Sequence, residues 1–150
     1  MQRVEISVGI TLGLLLINVL KRYSLTSCPW DLNDFGGAGT YVSHWNWSLN
    51  DGGSGHCFPG GHASSAFAFV SLSLPWLMST SKRDQGLGVQ ILSGVLLLGI
   101  VLGAVQTLRG AHFPSHTLWT AFLCWSVAVT NHLAFSWFQK AKSQPTRQAP

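Results

Sequence analysis

Between Leu87 and Leu108 (LGVQILSGVLLLGIVLGAVQTL), and again between Thr117 and Phe138 (TLWTAFLCWSVAVTNHLAFSWF), the chain carries no Asp, Glu, Lys or Arg. A helix this apolar on every side has no face to offer water, whereas in hydrocarbon it satisfies its own backbone hydrogen bonds. About 20 residues cross the hydrocarbon core, so both runs are long enough. Two other runs are shorter. Ala63 to Thr80 is borderline and holds Pro75, an expected kink that membrane helices tolerate. Ile6 to Leu20 spans only if Val4 and residues beyond Leu20 extend it. It is read as a retained helix and not a cleaved secretion signal, because KRYSLTSCPW follows and offers no small-residue cleavage site. The predicted fold class is therefore all-α, an integral-membrane bundle of about four helices, with residues 1–150 forming one domain.

Charge placement orients the bundle. Only 9% of the residues are charged, too few for an ordinary soluble surface. Lys and Arg in short loops favour the cytoplasm. Arg3, the Lys82 and Arg83 pair, and Lys140, Lys142 and Arg147 all fall on one side of a four-crossing path, with residues 139–150 expected to be a disordered cytoplasmic tail. Lys21, Arg22 and Arg109 fall on the other side, against the rule, and binding an anion is one reason for cations to be there. The net charge of +4 includes no basic run interleaved with aromatic residues, so no nucleic-acid partner is expected.

The long connection of residues 21–62 contains FGGAG, NDGGSG and three of the five acidic residues, Asp31, Asp34 and Asp51. Such clusters mark turns, so this segment is predicted to be an irregular cap on the outer face. The first helix rises to Lys21, the second starts at His62, the third ends at Arg109 and the fourth starts near His112. All four side chains are thereby expected at one rim. Lysine offers a point charge, arginine a planar fork of donors, and the Gly60–Gly61 pair before a helix is expected to leave backbone N–H groups open to an anion. Two histidines with two cations and no carboxylate cluster favour phosphoryl transfer through histidine over metal-assisted hydrolysis. One imidazole attacks phosphorus and the other protonates the leaving oxygen. His44 and His56 are expected to be solvated loop residues, and His132 a packing or cytoplasmic-side residue.

These residues resemble the type 2 phosphatidic acid phosphatases, integral-membrane lipid phosphatases related to vanadium haloperoxidases. That family carries Lys-x6-Arg-Pro, Pro-Ser-Gly-His and Ser-Arg-x5-His-x3-Asp. The chain has KRYSLTSCP, PGGH and VQTLRGAHFPSH in that order, with Cys28, Gly60, Gln106 and His116 where the family has Arg, Ser, Arg and Asp. The resemblance covers roughly Lys21 to Leu123, and CPWDL with RGAHFPSHTLW is similar to a bacterial branch that includes lipid A phosphatase-like proteins. It implies a metal-free, cofactor-free site acting on a lipid phosphate. His112 is the implied nucleophile, His62 the general acid and base, and Lys21 a phosphate ligand. Arg109 lies three residues after Gln106 and is placed to supply the missing guanidinium, while His116 is placed to accept a proton from His112. Asp31, Asp34 or Asp51 could take that second role from the cap. Family members carry more helices ahead of the first motif, so a short variant or a chain missing those helices is expected.

The expected location is a bacterial inner membrane with the site facing the periplasm. There Cys28 and Cys57 either pair, stapling the cap over the site, or remain separate thiols. The competing readings are a catalytically inactive remnant or partner subunit and a bis-histidine haem protein. Gly94, Gly99 and Gly103 suit close packing against a helix of the same chain or of another, which leaves the oligomeric state open.

Overall fold

A computed structural model describes residues 2–46 and 48–143. Its helices are α1 (Gln2–Tyr23), α2 (Gly61–Phe67), α3 (Val70–Leu77), α4 (Lys82–Leu108) and α5 (Pro114–Ser143), and no strand occurs among the described residues. Three of them, α1, α4 and α5, are long and apolar enough to cross a membrane. The first run gains its length at both ends, from Gln2 to Tyr23, which resolves its apparent shortness.

The second run is not one helix. It divides at Ala68 and Phe69, where Phe69 N–H donates to Ala66 O and Leu72 N–H to Phe69 O in tightened turns. The interruption lies ahead of the expected kink site, and Pro75 sits inside α3. At the far end, α5 continues through Lys140 and Lys142 to Ser143, so residues 139–143 are helical where a tail was expected, and residues 144–150 of that tail lie outside the described residues.

Local chemistry fixes the helix ends. The Ser81 hydroxyl caps α4 by accepting from Asp84 N–H at 3.4 Å. Gly110, at φ 70°, turns the chain out of α4 in a left-handed conformation that glycine adopts without a Cβ penalty. Pro114 opens α5, where its missing N–H removes nothing the helix needs.

The bundle is apolar outside, and small and polar residues share its interior with larger apolar ones such as Ile17, Phe67 and Leu74. Leu12, Leu15, Leu97, Ile100, Leu118 and Phe122 are exposed, whereas Ser73, Thr120 and Asn131 are buried. Lipid tails are as apolar as leucine, so close backbone approach and polar bonds must hold the helices together. Gly99 lies against the Phe67 ring and Gly103 against Thr117, which places the small-residue face of α4 on α2 and α5 of the same chain. At the opposite end from the cap, His132 Nδ1 lies 2.6 Å from Glu5 Oε1, and Asn131 Nδ2 donates to Glu5 O at 2.9 Å. His132 is thus a partnered packing residue joining α5 to α1.

Gly99→Leu should cost about 1–3 kcal/mol by overpacking. Gly94→Leu, on an open face with nothing within 4 Å of a built Cβ, should cost nothing measurable. Thermal unfolding in detergent checks the pair, and equal midpoints for the two variants would contradict this packing.

Candidate active site

The cap is built around one buried carboxylate. Asp51 accepts from Ser27 N–H and from the Ser27 hydroxyl, each at 2.6 Å, and from Gly53 N–H at 3.0 Å. Burial alone would raise its pKa, but these donors outweigh that cost and hold the carboxyl below its ordinary range. Since the folded pKa lies below the unfolded one, this stabilisation is full above the ordinary carboxylate pKa of about 4 and is lost as pH falls through the folded value. Asp51→Asn should therefore lower the unfolding midpoint at neutral pH and flatten its decline in acid. Parallel pH profiles for variant and parent would sink this reading.

The ordering of Ser27 carries over to Cys28. Cys28 and Cys57 form a disulfide with Cα atoms 5.1 Å apart. Cys57 N–H donates to Thr26 O at 2.9 Å, and Trp30 N–H donates to Gly110 O at 3.1 Å, tying the cap to the turn between α4 and α5. The two open possibilities for these cysteines resolve to the paired one.

Of the four expected rim residues, Lys21, His62 and His112 lie near one another. Lys21 lies in the last turn of α1, and a Cβ built on Gly61 would come within 3.3 Å of its Nζ, so the absence of a side chain at Gly61 lets the ammonium reach the start of α2. The His62 and His112 rings have centroids 6.3 Å apart. His112 is positioned by its backbone, because the Gln106 carbonyl accepts from Ala111 N–H at 2.9 Å and from His112 N–H at 3.3 Å. Arg109 lies on the same turn, exposed, with Nη1 3.5 Å from Gln106 Oε1. The guanidinium therefore stands beside the residue that occupies the family's arginine position.

Burial, reinforced by the charges of Lys21 and His62 and opposed by the Cys57 carbonyl, pushes the His112 pKa down to about 4. The ring is neutral at neutral pH and keeps a lone pair. Its Nδ1 lies 3.4 Å from Cys57 Sγ, which in the disulfide has no proton to give.

Three expectations are not met by this geometry. The Gly60 N–H donates to His116 O at 3.3 Å and is not open to an anion, which leaves Gly61 as the glycine at the rim. The cap carboxylates are engaged elsewhere or exposed: Asp51 with Ser27, Asp31 with the Ser54 hydroxyl at 2.7 Å, and Asp34 in solvent. His116, only 1% exposed, has no hydrogen-bond partner on either ring nitrogen, and its ring meets that of His112 edge-on at 5.7 Å. Its backbone is better used, since the Thr120 hydroxyl bridges His116 O at 2.8 Å and Gly60 O at 3.0 Å, stitching α5 to the start of α2.

His44 escaped the sequence reading. Far from being solvated, it stacks on Phe58 at 4.6 Å and 14°, stands 6.0 Å from His116, and is shifted toward the neutral form by burial. The only hint in sequence is the aromatic density of SHWNW. His56, by contrast, is exposed as expected, with Nδ1 3.3 Å from Lys21 O. A cavity of about 160 Å³ lies beside His44 and Phe58, between the end of α1 and the cap.

Cys57, His112 and His116 are close enough to suggest a metal cluster, but a disulfide sulfur is not a thiolate. In the oxidised chain only the two imidazoles of this cluster remain, with the Lys21 charge acting on His112. The profile of the PAP2 superfamily matches residues 3–143. No curated protein and no solved structure matches the chain.

Proposed function

The chain belongs to the PAP2 superfamily, with three helices apolar and long enough to cross a membrane, and on that premise we propose that it hydrolyses a phosphate ester or diphosphate of a membrane lipid through a phosphohistidine on His112. Family membership supports lipid phosphatase activity in general. The observation that carries the mechanism is the facing pair of imidazoles, His62 and His112, 6.3 Å apart beside the Lys21 ammonium.

In the first step the His112 lone pair attacks phosphorus and the bond to the lipid oxygen breaks. Protonated His62 gives its proton to that oxygen, so the lipid leaves as an alcohol or a shortened phosphate. In the second step neutral His62 takes a proton from water as the water oxygen attacks phosphorus. The P–N bond breaks, its electrons return to His112, and inorganic phosphate departs. Lys21 and Arg109 hold the phosphoryl oxygens, and the N–H of Gly61 at the start of α2 faces the same charge. His116 passes no proton in this scheme, because it has no hydrogen bond to His112.

The disulfide and the gathering of Arg3, Lys82, Arg83, Lys140 and Lys142 away from the site support a periplasm-facing centre in a bacterial inner membrane. The test is phosphate release by the detergent-purified chain from a panel of lipid phosphates, with and without chelator. Chelator-resistant release supports the mechanism and ranks substrates. Chelator-sensitive release overturns it, and no release from any lipid favours a catalytically silent chain.

A further inference from the structure

One donor atom each from Cys57, His112 and His116 lies within 4.8 Å of the other two, and all three residues are buried. In the disulfide Cys57 has no negative charge to offer, and both ring nitrogens of His116 are left without a partner. Native proteins rarely bury a polar group this way, since an unsatisfied one forfeits its hydrogen bonds to water with nothing in return. The phosphoryl-transfer scheme leaves the His116 ring idle. A ligand that binds only when the disulfide opens would engage it.

We propose that reduction of the Cys28–Cys57 disulfide converts Cys57, His112 and His116 into a binding site for a borderline d10 cation of the zinc(II) class, and that the filled site stops phosphoryl transfer. The binding half stands on the side-chain cluster alone, whereas the inhibitory half rests on the reading of His112 as nucleophile.

The reductant is a dithiol. One of its thiolates attacks the disulfide and forms a mixed disulfide, and its second thiol displaces the protein sulfur. Two electrons pass to the protein, leaving Cys28 and Cys57 as thiols and the reductant as a disulfide. Metal binding then takes the Cys57 sulfur as thiolate, its proton passing to water. Zinc–sulfur and zinc–nitrogen bonds of about 2.3 and 2.0–2.1 Å put tetrahedral neighbours roughly 3.3–3.7 Å apart. The separation of Cys57 Sγ from His112 Nδ1 is already 3.4 Å. Three protein ligands leave one position for water or an anion.

Occupancy excludes catalysis for a simple reason. A metal on Nδ1 of His112 leaves the ring's remaining proton on Nε2, so no lone pair is left for phosphorus.

Cobalt(II), whose spectrum reports ligand type and geometry, is the probe. It is titrated anaerobically into the full chain in detergent, oxidised or reduced and freed of reductant. The reduced chain should show a near-ultraviolet sulfur-to-cobalt band and tetrahedral visible bands, saturating at one ion per chain and bleached by zinc(II). The oxidised chain should show neither. Cys57→Ser should lose the sulfur band, and His116→Ala should weaken binding tenfold or more. Cys28→Ser, which frees Cys57 without reductant, should give the reduced-chain spectrum. No sulfur band in the reduced chain, or the same band in Cys57→Ser, would overturn the site. Zinc(II) should also stop phosphate release by the reduced chain alone, reversibly with chelator, and undiminished release at saturation would overturn the inhibitory half. A chain with no turnover in any state defeats the phosphatase reading while the cobalt spectra still decide the cation site.

Discussion

His112→Ala should lower phosphate release from the best lipid substrate by on the order of 10⁴-fold or more, the scale seen when a covalent nucleophile is removed. It should also abolish the acid-labile phosphoryl label that the parent chain carries after a rapid quench. The size of the effect follows from the site's composition. No carboxylate among the described residues is hydrogen-bonded to His112, and the sulfur at its Nδ1 belongs to a disulfide, so neither kind of group stands ready to take over as nucleophile. The ring is also ready to attack, because burial keeps it neutral at neutral pH, with a pKa of about 4. His116→Ala is the informative comparison. Lacking a hydrogen bond to His112, His116 should matter through packing, and its loss should cost far less than that of His112. Equal losses for the two variants would mean that His116 orients the nucleophile during turnover, and a label that persists in His112→Ala would place the covalent step on another residue.

How far the sequence foretold this site depends on the physical origin of each feature. The two long apolar runs dictated helices fit to cross a membrane because hydrocarbon permits few other ways of satisfying a backbone, and topology alone then brought Lys21, His62 and His112 near one another, with Arg109 following α4 beside Gln106. The break at Ala68 and Phe69 was hidden, because the run is equally apolar on both sides and the proline that signals a kink lies further on. The cap was legible as turns but not as contacts. That Asp51 would go to Ser27 and that His44 would stack on Phe58 depend on how irregular backbone folds over a helix end, where no periodicity helps. Gly60 illustrates the same limit: a glycine before a helix suggested an open N–H, yet the start of α5 lies close enough to accept from it. The Cys28–Cys57 pair was foreseeable as a possibility, since both motifs had to meet, and its consequence for His112 and His116 emerged only with the side chains in place.

His62→Gln should separate the two chemical steps. For a lipid phosphate, whose leaving alkoxide is poor, the loss should be about 10²–10⁴-fold, the usual worth of a general acid or base. An aryl phosphate such as p-nitrophenyl phosphate has a leaving group stable enough to depart without a proton, so the first step should survive and the second should not. The expected record is a burst of nitrophenolate stoichiometric with the chain, followed by near-silence as phosphohistidine accumulates on His112. The geometry supports this division. His62 is at the first turn of α2, exposed and within reach of water and a lipid oxygen, while His112 is 4% exposed and sheltered by the cap. The 6.3 Å between the ring centroids leaves His62 too far to hydrogen-bond His112 directly, as a residue serving the leaving oxygen across a bound phosphoryl group should be. A uniform loss for alkyl and aryl substrates, with no burst, would show instead that His62 binds phosphate and moves no proton.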